Sequence, residues 1–462
     1  MVKKLLSVFS QLKEIRVLLL GDFMLDQYTK GSVSRISPEA PVAVLRVEEE
    51  QSSPGGAGNV VLNLLALGAN VIAVGRRGKD EAGRTLISFL QRAGADVRHI
   101  FIEDGYVTPI KNRLLAESQQ LLRLDREKAM ELQPSLEKKI IAQVPQLLER
   151  INVVAISDYA KGFLSRSLIG SVIKEANARS IPIIVDPKGL DFSKYVGATI
   201  IKPNLSEAYA AAKVSLSEPL EKVADILLGI TQAKILMITR SEKGISYFDQ
   251  KKRRFDFPVK SKEVKDVTGA GDTVLAMAVF SIANLLEMSD AVRLANIAAS
   301  ISVEHVGCFS VSLADVAKRM LELHGENKIF STDHLFALRQ VLLGRKVILL
   351  GVDSHCGMTT MLFQKIRELS SKNGQELMIY IKDPDPDMQF VRLLSSLSEV
   401  DFIILKSENL QHLCKVIEPD EVYEMQEDRM ISLEKAKDLL RSLIKKKLSQ
   451  SKKQRKTYTQ TT

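Results

Sequence analysis

The most informative segment of the chain reads Asp266-Val267-Thr268-Gly269-Ala270-Gly271-Asp272, and an apolar run from Thr273 to Leu286 follows it directly. Small residues before an apolar pattern with a helical period predict a tight loop that opens a helix. The amides of Gly269, Ala270 and Gly271 can approach an anion closely, because these residues have almost no side chain. They also lie where a helix leaves its first amides unpaired and its dipole positive. The segment therefore predicts an anion hole.

Asp272 is the carboxylate at the end of this turn. A carboxylate would repel a phosphate at rest, which favours a chemical role for it. That role is to take the proton from a hydroxyl group that attacks a phosphoryl group. An ordinary helix N-cap beside glycines in a turn gives a similar pattern. The segment alone leaves both interpretations open.

The composition is that of a globular protein without tryptophan, and 462 residues are enough for two or three domains. The net charge of +9 suggests nucleic-acid binding at first sight, but residues 439–462 hold eight lysines and arginines and no acid. The rest of the chain is therefore almost neutral. We expect a basic, disordered tail at residues 449–462 and no nucleic-acid partner.

The cysteines Cys308, Cys356 and Cys414 are far apart and odd in number, so they predict neither a disulfide framework nor a zinc site. No metal site built from protein side chains alone is expected. Charged residues interrupt the N-terminal apolar run, which argues against a signal peptide. No run is long and apolar enough to span a membrane. These features favour a cytoplasmic protein without a membrane partner.

Strand and helix patterns alternate over the first two-thirds of the chain. The apolar run from Arg16 to Gly21 ends in Asp22, with Asp26 a few residues further on. Later strands end in the same manner, at residues 157–159, 186–188 and 202–204. Strands that alternate with helices predict a doubly wound parallel sheet, with these polar groups gathered along one edge. Acids that merely cap turns are the alternative for Asp22 and Asp26.

Residues 31–50 do not fit this alternation. Residues 42–47 alternate with a period of two, and Pro38 and Pro41 precede them. This pattern predicts an edge strand that projects from the main sheet. We interpret residues 31–50 as a lid or a dimer surface.

A second glycine-rich segment, Pro54-Gly55-Gly56-Ala57-Gly58-Asn59, opens the next predicted helix. The third glycine of a dinucleotide-binding fingerprint is missing, and a polar stretch precedes the segment, so that function is disfavoured. The segment instead favours a backbone floor for a small polar molecule, with Asn59 donating and accepting hydrogen bonds.

The candidates for anion contacts are Lys111 and Arg113, on an alternating segment, although strand residues of this type are often simply exposed. The chain has no GxxxxGK[ST] motif, so it is not a P-loop enzyme. Without the P-loop lysine, nucleotide phosphates would be held by amides, by Asn204 and Glu207, and by Mg²⁺.

With these segments in place, the first two-thirds of the chain resembles the ribokinase-type (PfkB) carbohydrate kinases. The resemblance lies in Gly55-Gly56, in Asn204-Leu205-Ser206-Glu207 and in residues 266–272. More narrowly, it is similar to the heptose-7-phosphate kinases of ADP-heptose synthesis. That likeness rests on longer strings: VSRISPEAPV at 33–42, SDYAKG at 157–162, VDPKG at 185–189 and TRSE at 239–242.

The resemblance implies transfer of the ATP γ-phosphate to the anomeric hydroxyl of D-glycero-β-D-manno-heptose 7-phosphate, in the synthesis of ADP-heptose for the lipopolysaccharide core. Asp272 would be the base, and Gly269, Ala270 and Gly271 the phosphate cradle. Nucleotide and Mg²⁺ would bind at Asn204, Leu205, Ser206 and Glu207, and a monovalent cation is a further candidate. The sugar site would comprise Asp22, Asp26, Gly55, Gly56 and Asn59. Residues 31–50 would cover that site and pair two subunits. Lys111 and Arg113 are our own candidates for the 7-phosphate, which needs fixed cations.

The C-terminal third shows a second, smaller α/β pattern. In some bifunctional enzymes of ADP-heptose synthesis, the heptose-7-phosphate kinase is one half of the chain and an adenylyltransferase is the other. The C-terminal third resembles that adenylyltransferase half, whose HxGH motif follows the first strand. Here that position reads His355-Cys356-Gly357-Met358, so His355 and Gly357 remain and the second histidine is a methionine. A lysine-glycine-glycine run is likewise replaced by Glu424-Met425-Gln426. A pentavalent phosphate needs hydrogen-bond donors, so we expect adenylyl transfer to be lost or weak.

The expected architecture is a ribokinase-like doubly wound sheet with a small β lid at residues 1–325. A linker at 326–340 and a Rossmann-like, degenerate nucleotidyltransferase domain at 341–448 follow. Two alternatives to a heptose-7-phosphate kinase stay open at this point. One is a kinase for another sugar, and the other is a non-catalytic protein that senses a sugar or a nucleotide.

Overall fold

The computed structural model of the protein describes residues 12–117, 119–259, 264–323, 328–370, 374–405, 410–426 and 429–433. The chain divides into two compact bodies, Lys13–Val316 and a second body that includes Ala317 and the residues after it. The predicted tail at 449–462 lies outside the described residues. Among the residues that are described, no helix has the length and apolar character needed to cross a membrane.

The first body is built on a central sheet. Its strands are β1 (Arg16–Gly21), β4 (Asn70–Arg77), β5 (Asp96–Ile102), β8 (Val153–Ser157), β9 (Ile183–Asp186), β10 (Ile200–Ile201), β11 (Ile235–Thr239), β12 (Ile245–Asp249) and β13 (Arg254–Phe257). Their order is β13-β12-β11-β10-β9-β8-β1-β4-β5. The neighbouring strands β11, β10, β9, β8, β1, β4 and β5 are parallel to one another. Strands β12 and β13 add an antiparallel hairpin at the edge next to β11. The predicted doubly wound sheet is confirmed, and the hairpin is an addition to it.

Helices pack against this sheet, and they explain why its central strands are apolar throughout. They are α1 (Ala57–Ala66), α2 (Glu81–Arg92), α3 (Pro134–Leu147), α4 (Arg166–Ala178), α5 (Leu205–Ala212), α6 (Leu220–Thr231), α7 (Ala270–Ala283) and α8 (Met288–Ser302). A further helix, α9 (Leu313–Leu323), contains the boundary between the two bodies. Every residue of β8 is buried. Strands covered on both faces lose the alternation of half-buried strands and become continuous apolar runs.

A separate four-stranded sheet forms the lid, in the order β3-β2-β6-β7. Its strands are β2 (Phe23–Ile36), β3 (Ala43–Gly56), β6 (Ile110–Ala116) and β7 (Gln119–Arg126). The predicted β lid is confirmed, and it is larger than residues 31–50. The lid exposes several large apolar side chains, among them Val33, Val47, Leu122 and Leu124.

The second body contains a six-stranded sheet. Its elements are β14 (Ile329–Ser331), α10 (Leu335–Leu342), β15 (Lys346–Val352), α11 (Thr360–Ser370), β16 (Gln375–Ile381), α12 (Met388–Ser396), β17 (Phe402–Leu405), α13 (Leu410–Ile417), β18 (Glu421–Gln426) and β19 (Arg429–Leu433). The order is β14-β17-β16-β15-β18-β19, with only β19 antiparallel among the described strands. The predicted additional α/β domain is confirmed.

The predicted linker at residues 326–340 is wrong over most of its length. Strand β14 pairs with β17, and α10 begins four residues after β14 ends. Phe330, Leu335 and Leu338 are buried in a core cluster of the second body. The polar residues 332–334 lie at a short junction between β14 and α10, and the neighbouring apolar residues carry the packing. Residues 324–327 lie outside the described residues.

Candidate active site

The predicted anion hole lies at the start of α7, which begins at Ala270. Gly269 has φ +78°, a left-handed conformation that favours glycine. A Cβ atom at this position would also lie 2.6 Å from Asn59 Nδ2. The amide of Thr273 donates to the carbonyl of Gly269 at 2.9 Å. The preceding amides lie in the first turn, where the helix itself provides no carbonyl acceptor, although the amide of Ala270 makes a long hydrogen bond of 3.3 Å to the carbonyl of Val267.

The carboxylate of Asp272 is buried beside this turn and is held by two donors. The hydroxyl of Tyr159 donates to Oδ1 at 2.6 Å, and Asn59 Nδ2 donates to Oδ2 at 2.9 Å. Asn63 Nδ2 donates to the carbonyl of Asn59 at 3.0 Å, and to its Oδ1 at 3.2 Å, which fixes the direction of the Asn59 amide. Burial raises the pKa of Asp272, and the bonds from Tyr159 and Asn59 oppose that rise.

A cavity of about 170 Å³ opens in front of Asp272, and Gly269, Gly271, Asn204 and Glu207 also line it. A lysine reaches this cavity, contrary to the expectation of a phosphate site without one. Lys202, which follows β10, is buried, and its Nζ lies 2.9 Å from Asp186 Oδ2. Burial raises the pKa of Asp186 to about 7, although Lys202 opposes the rise.

Asn204 and Glu207 form a capping box at the start of α5. The side chain of Asn204 accepts a hydrogen bond from the amide of Glu207 at 2.9 Å, and Glu207 Oε2 accepts one from the amide of Asn204 at 3.0 Å. Ser206 Oγ donates to Asn204 Oδ1 at 2.8 Å, and Leu205 packs against the core. Lys188 donates to the other oxygen of Glu207 at 2.6 Å. The segment is a rigid helix start whose polar atoms border the cavity.

A second cavity of about 430 Å³ shares Asn204, Thr239 and Gly271 with the first. Its other lining residues are largely apolar, for example Val259, Val264, Val267, Ala299 and Val303. An apolar slot that continues to the N-terminus of a helix suits a flat apolar group joined to a polyanion.

The lid contributes Asp26 and Arg113. Arg113 Nη1 donates to Asp26 Oδ1 at 2.8 Å, and both side chains are largely buried. Gly55 lies opposite, where a Cβ atom would come 2.0 Å from Asp26 Oδ2. The sulfur of Cys308 lies 3.7 Å from the same oxygen. Asp26, Gly55 and Arg113 therefore lie together.

Lys111 lies on the lid strand β6, and its Nζ lies 5.3 Å from the centroid of the Tyr159 ring. Burial lowers the pKa of Lys111, and the charges of Lys161 and Arg123 lower it further, while Asp26 and Glu127 oppose them. Lys161 is itself paired with Glu127 at 2.7 Å. A bound anion would stabilise the charged form of Lys111, which burial disfavours.

One oxygen of the Asp22 carboxylate binds the protein backbone, and the other, Oδ1, is buried and has no hydrogen-bond partner among the described residues. Its Oδ2 accepts hydrogen bonds from the amides of Tyr159 and Lys161, both at 3.0 Å. Gly56 has φ +55°, and a Cβ atom there would lie 2.8 Å from the carbonyl oxygen of Asp22. Asp22 thus supports the loop that carries Tyr159, and Gly56 leaves room for the Asp22 carbonyl. The strand pattern placed residues 157–159 along the polar edge of the sheet, but it indicated no role for Tyr159.

In the second body, His355 lies in an exposed 3₁₀ turn, Ser354–Cys356, and Gly357 follows it with φ +66°. Lys382, just after β16, donates to Glu424 Oε1 on β18 at 3.0 Å. This ion pair crosses β15, the strand between them, where Gly351 is paired with Glu424. In the described part of the chain, no group of three or more His, Cys, Asp and Glu side chains is arranged to hold a metal ion.

A parallel sheet with a lid, an anion hole and a buried carboxylate beside it define a sugar kinase of the ribokinase-like class. Residues 15–315 match the pfkB family carbohydrate kinases. The chain belongs to this family and is a carbohydrate kinase. A non-catalytic sensing protein is therefore not favoured.

The curated relatives include several proteins named bifunctional protein HldE. The chain is 42% identical to that of Geobacter sulfurreducens over 326 residues, which are 70% of this chain and 66% of the relative. It is 41% identical to that of Geotalea uraniireducens over 340 residues, 73% of this chain and 69% of the relative. The match thus spans about two-thirds of these relatives, slightly less for the first.

Solved structures support the fold at lower identity. Arabidopsis thaliana ribokinase complexed with ribose and ATP gives a TM-score of 0.54 at 18% identity, over 67% of this chain and 99% of that chain. The tetrameric inhibited form of phosphofructokinase-2 from Escherichia coli gives 0.57 at 21% identity, over 67% of this chain and 100% of that chain. The predicted ribokinase-like fold is confirmed.

Proposed function

We propose that the chain transfers the γ-phosphate of ATP to the anomeric hydroxyl of D-glycero-β-D-manno-heptose 7-phosphate, giving the 1,7-bisphosphate. The observation that carries this proposal is the position of Asp272, a buried and doubly hydrogen-bonded carboxylate in the first turn of α7. The identity of about 40% to bifunctional HldE proteins supports the choice of substrate. The product would feed ADP-heptose and lipopolysaccharide core synthesis, in the cytoplasm.

In this reaction Asp272 takes the proton of the anomeric hydroxyl, whose oxygen then attacks the γ-phosphorus. The bond between the γ-phosphorus and the β,γ-bridging oxygen breaks, and ADP leaves. The amides of Gly269, Ala270 and Gly271 and the positive end of α7 stabilise the charge on the transferred group. Lys202, buried at the same cavity, supplies a fixed cation in place of the P-loop lysine.

ATP would lie with its base in the larger, apolar cavity and its phosphates in the smaller one, with Asn204, Leu205, Ser206 and Glu207 at their junction. Glu207 offers a carboxylate beside the phosphates, which fits Mg²⁺, because this ion is commonly held by one or two carboxylates and substrate phosphates. When bound, Mg²⁺ would neutralise phosphate charge. A monovalent cation is a second candidate activator; a phosphofructokinase-2 from Escherichia coli has been solved in complex with potassium.

The sugar would lie between α7 and the lid, in contact with Asn59, Asp26 and the floor at Gly55 and Gly56. The 7-phosphate would lie nearest Lys111, whose neighbours include further cations. Arg113 is a weaker candidate than Lys111, because its guanidinium is already paired with Asp26.

The lid is the proposed homodimer surface. Residues 31–36 belong to β2 and residues 43–50 to β3. The exposed apolar side chains of the lid would be covered by a second copy. Light scattering of the intact protein tests this, with a charged substitution of Val47 expected to favour the monomer.

For the second body we propose that adenylyl transfer is lost or weak. His355 and Gly357 remain from the motif, but Met358 replaces a donor. The Lys382–Glu424 ion pair occupies the switch point between β15 and β18, where nucleotides bind in such sheets. Incubation of the full chain with ATP and heptose 1-phosphate tests this proposal, and robust release of pyrophosphate would contradict it.

The kinase proposal is tested with a substrate panel. The purified protein is incubated with ATP, Mg²⁺ and, in turn, heptose 7-phosphate, unphosphorylated heptose, ribose and fructose 6-phosphate, and products are read by ³¹P NMR. We expect a new anomeric phosphate signal with heptose 7-phosphate and the highest kcat/KM for it. A higher kcat/KM for ribose or for a hexose would assign another sugar.

A further inference from the structure

We propose that Tyr159 is a positioning residue for the general base: its hydroxyl, opposite the Asn59 amide, fixes the plane of the Asp272 carboxylate toward the acceptor hydroxyl. This inference rests on the proposed role of Asp272. The two donors bind different oxygens, Tyr159 at Oδ1 and Asn59 at Oδ2. Rotation of the carboxylate about its Cβ–Cγ bond would stretch both bonds.

The two bonds leave the carboxylate with free acceptor capacity. An ionised carboxylate has about four lone-pair sites on its two oxygens. The protein uses one site on each oxygen of Asp272, so each oxygen keeps one site for the substrate. Because the plane of the Asp272 carboxylate is fixed, its two remaining lone-pair sites point in fixed directions. The hydroxyl of the sugar therefore meets the base in a single orientation.

Tyr159 can serve this role because its loop is itself held. The Asp22 carboxylate accepts hydrogen bonds from the amides of Tyr159 and Lys161, and Asp158 accepts one from the amide of Ala160 at 2.7 Å. The ammonium group of Lys111 lies over the ring. Tyr159 is thus fixed through its backbone and its ring, and its hydroxyl has little freedom to leave Asp272.

The electrostatic effect has a definite sign. The groups that face Asp272 and favour its charged form are Tyr159 after β8, Asn59 on α1 and Lys202 after β10. Burial and the acid Asp26 on β2 favour its neutral form, and Asp186 at the end of β9 and Cys308 after α8 face it as well. Removing the Tyr159 hydroxyl removes a favourable bond, so the pKa of Asp272 rises further and less of the base is ionised at low pH.

The experiment compares Tyr159→Phe with Tyr195→Phe. Tyr195 is also buried and donates to a buried aspartate, Asp158, at 2.7 Å, but it does not contact Asp272. kcat and kcat/KM for the heptose substrate are measured from pH 5 to pH 9. For Tyr159→Phe we expect kcat to fall about ten- to a hundredfold, the size of a hydrogen bond to a charged group, and the acid limb of kcat/KM to move to higher pH. The KM for ATP should stay within about twofold, and Tyr195→Phe should keep the wild-type pH profile.

Further measurements distinguish a failure of the proposed function from a failure of the role given to Tyr159. If Asp272→Asn keeps wild-type turnover, the proposed function fails, and the role of Tyr159 fails with it. If Asp272→Asn is inactive while Tyr159→Phe keeps wild-type kcat and an unmoved acid limb, only the present inference is overturned. Should Tyr159→Phe not fold, 3,5-difluorotyrosine at position 159 replaces it. Its more acidic phenol is a stronger donor and should move the acid limb to lower pH, and an unmoved limb would overturn the inference.

Discussion

Lys202 is the residue whose replacement tests the electrostatics of the site most sharply. Its side chain is 3% exposed and it lies at the cavity in front of the anion hole, where the γ-phosphate is proposed to bind. Methionine is an unbranched apolar side chain nearly as long as lysine, and it removes the charge and the N–H donors, including the donor to Asp186. We therefore expect Lys202→Met to fold, to bind ATP more weakly and to transfer the phosphoryl group much more slowly.

The magnitude follows from the geometry. Two unit charges 4 Å apart interact by about 4 kcal/mol at an effective dielectric constant of 20. Lys202 already pairs with Asp186 at 2.9 Å, so weakening of that ion pair offsets part of the interaction energy when the ammonium group binds the phosphate. We expect a net loss of about 2–3 kcal/mol in the transition state, which is about a 30- to 150-fold decrease in kcat.

The assay is single-turnover transfer from γ-³²P-labelled ATP to heptose 7-phosphate, with Lys194→Met as the matched control. Lys194 also pairs with an aspartate, Asp158, but it does not line the cavity. Its replacement should leave the rate within about threefold of the wild type. If Lys202→Met also stays within that range, Lys202 does not contact the transferred group and the charge balance given for the site is wrong.

Two more substitutions test other parts of the structure. Gly55→Ala places a Cβ atom against Asp26 Oδ2 and would displace a carboxylate whose other oxygen, Oδ1, accepts a hydrogen bond from Arg113. We expect the KM for the sugar to rise about tenfold or more with the KM for ATP little changed, and an unchanged sugar KM would argue against a sugar site at Asp26. Glu103→Ala removes the partner of the buried Arg76, which lies 2.5 Å from it. An unpaired buried charge costs about 3–5 kcal/mol, so urea unfolding of the first body should begin at clearly lower concentration. Glu221→Ala, at an exposed ion pair with Arg254, is its control and should change stability by less than about 1 kcal/mol.

Much of this fold could be predicted because its determinants are local. Strand β8 is a continuous apolar run since both of its faces are covered, and such runs alternating with helical patterns define a doubly wound sheet. The start of α7 was equally predictable, because a left-handed turn before a helix favours a glycine such as Gly269. The extent of the lid was not predictable, because β2 continues from the apolar core into a polar sheet without a break in the strand.

The site residues that escaped prediction depend on distant contacts. Lys202 follows a strand of only two residues, and its sequence neighbours do not distinguish it from a lysine on the surface. Its burial and its pairing with Asp186 are seen only in the structure. Tyr159 is a turn residue whose partner, Asp272, lies 113 positions further along the chain. Asp22 remains a predicted contact of the sugar, and the local pattern does not show that its Oδ2 accepts from the distant amides of Tyr159 and Lys161. The linker prediction failed for a similar reason, because Phe330 packs in the core of the second body and its strand β14 pairs with the distant β17.

The chemistry proposed for the site depends on Asp272 acting as the base. The Asp272→Asn enzyme, loaded with ATP and mixed with heptose 7-phosphate in a single turnover, tests this most directly. Asparagine keeps the shape and can still accept from Tyr159, so ATP should bind normally. Transfer should slow by about two to four decades, the contribution of a general base. A rate close to that of the wild type would show that another group removes the proton.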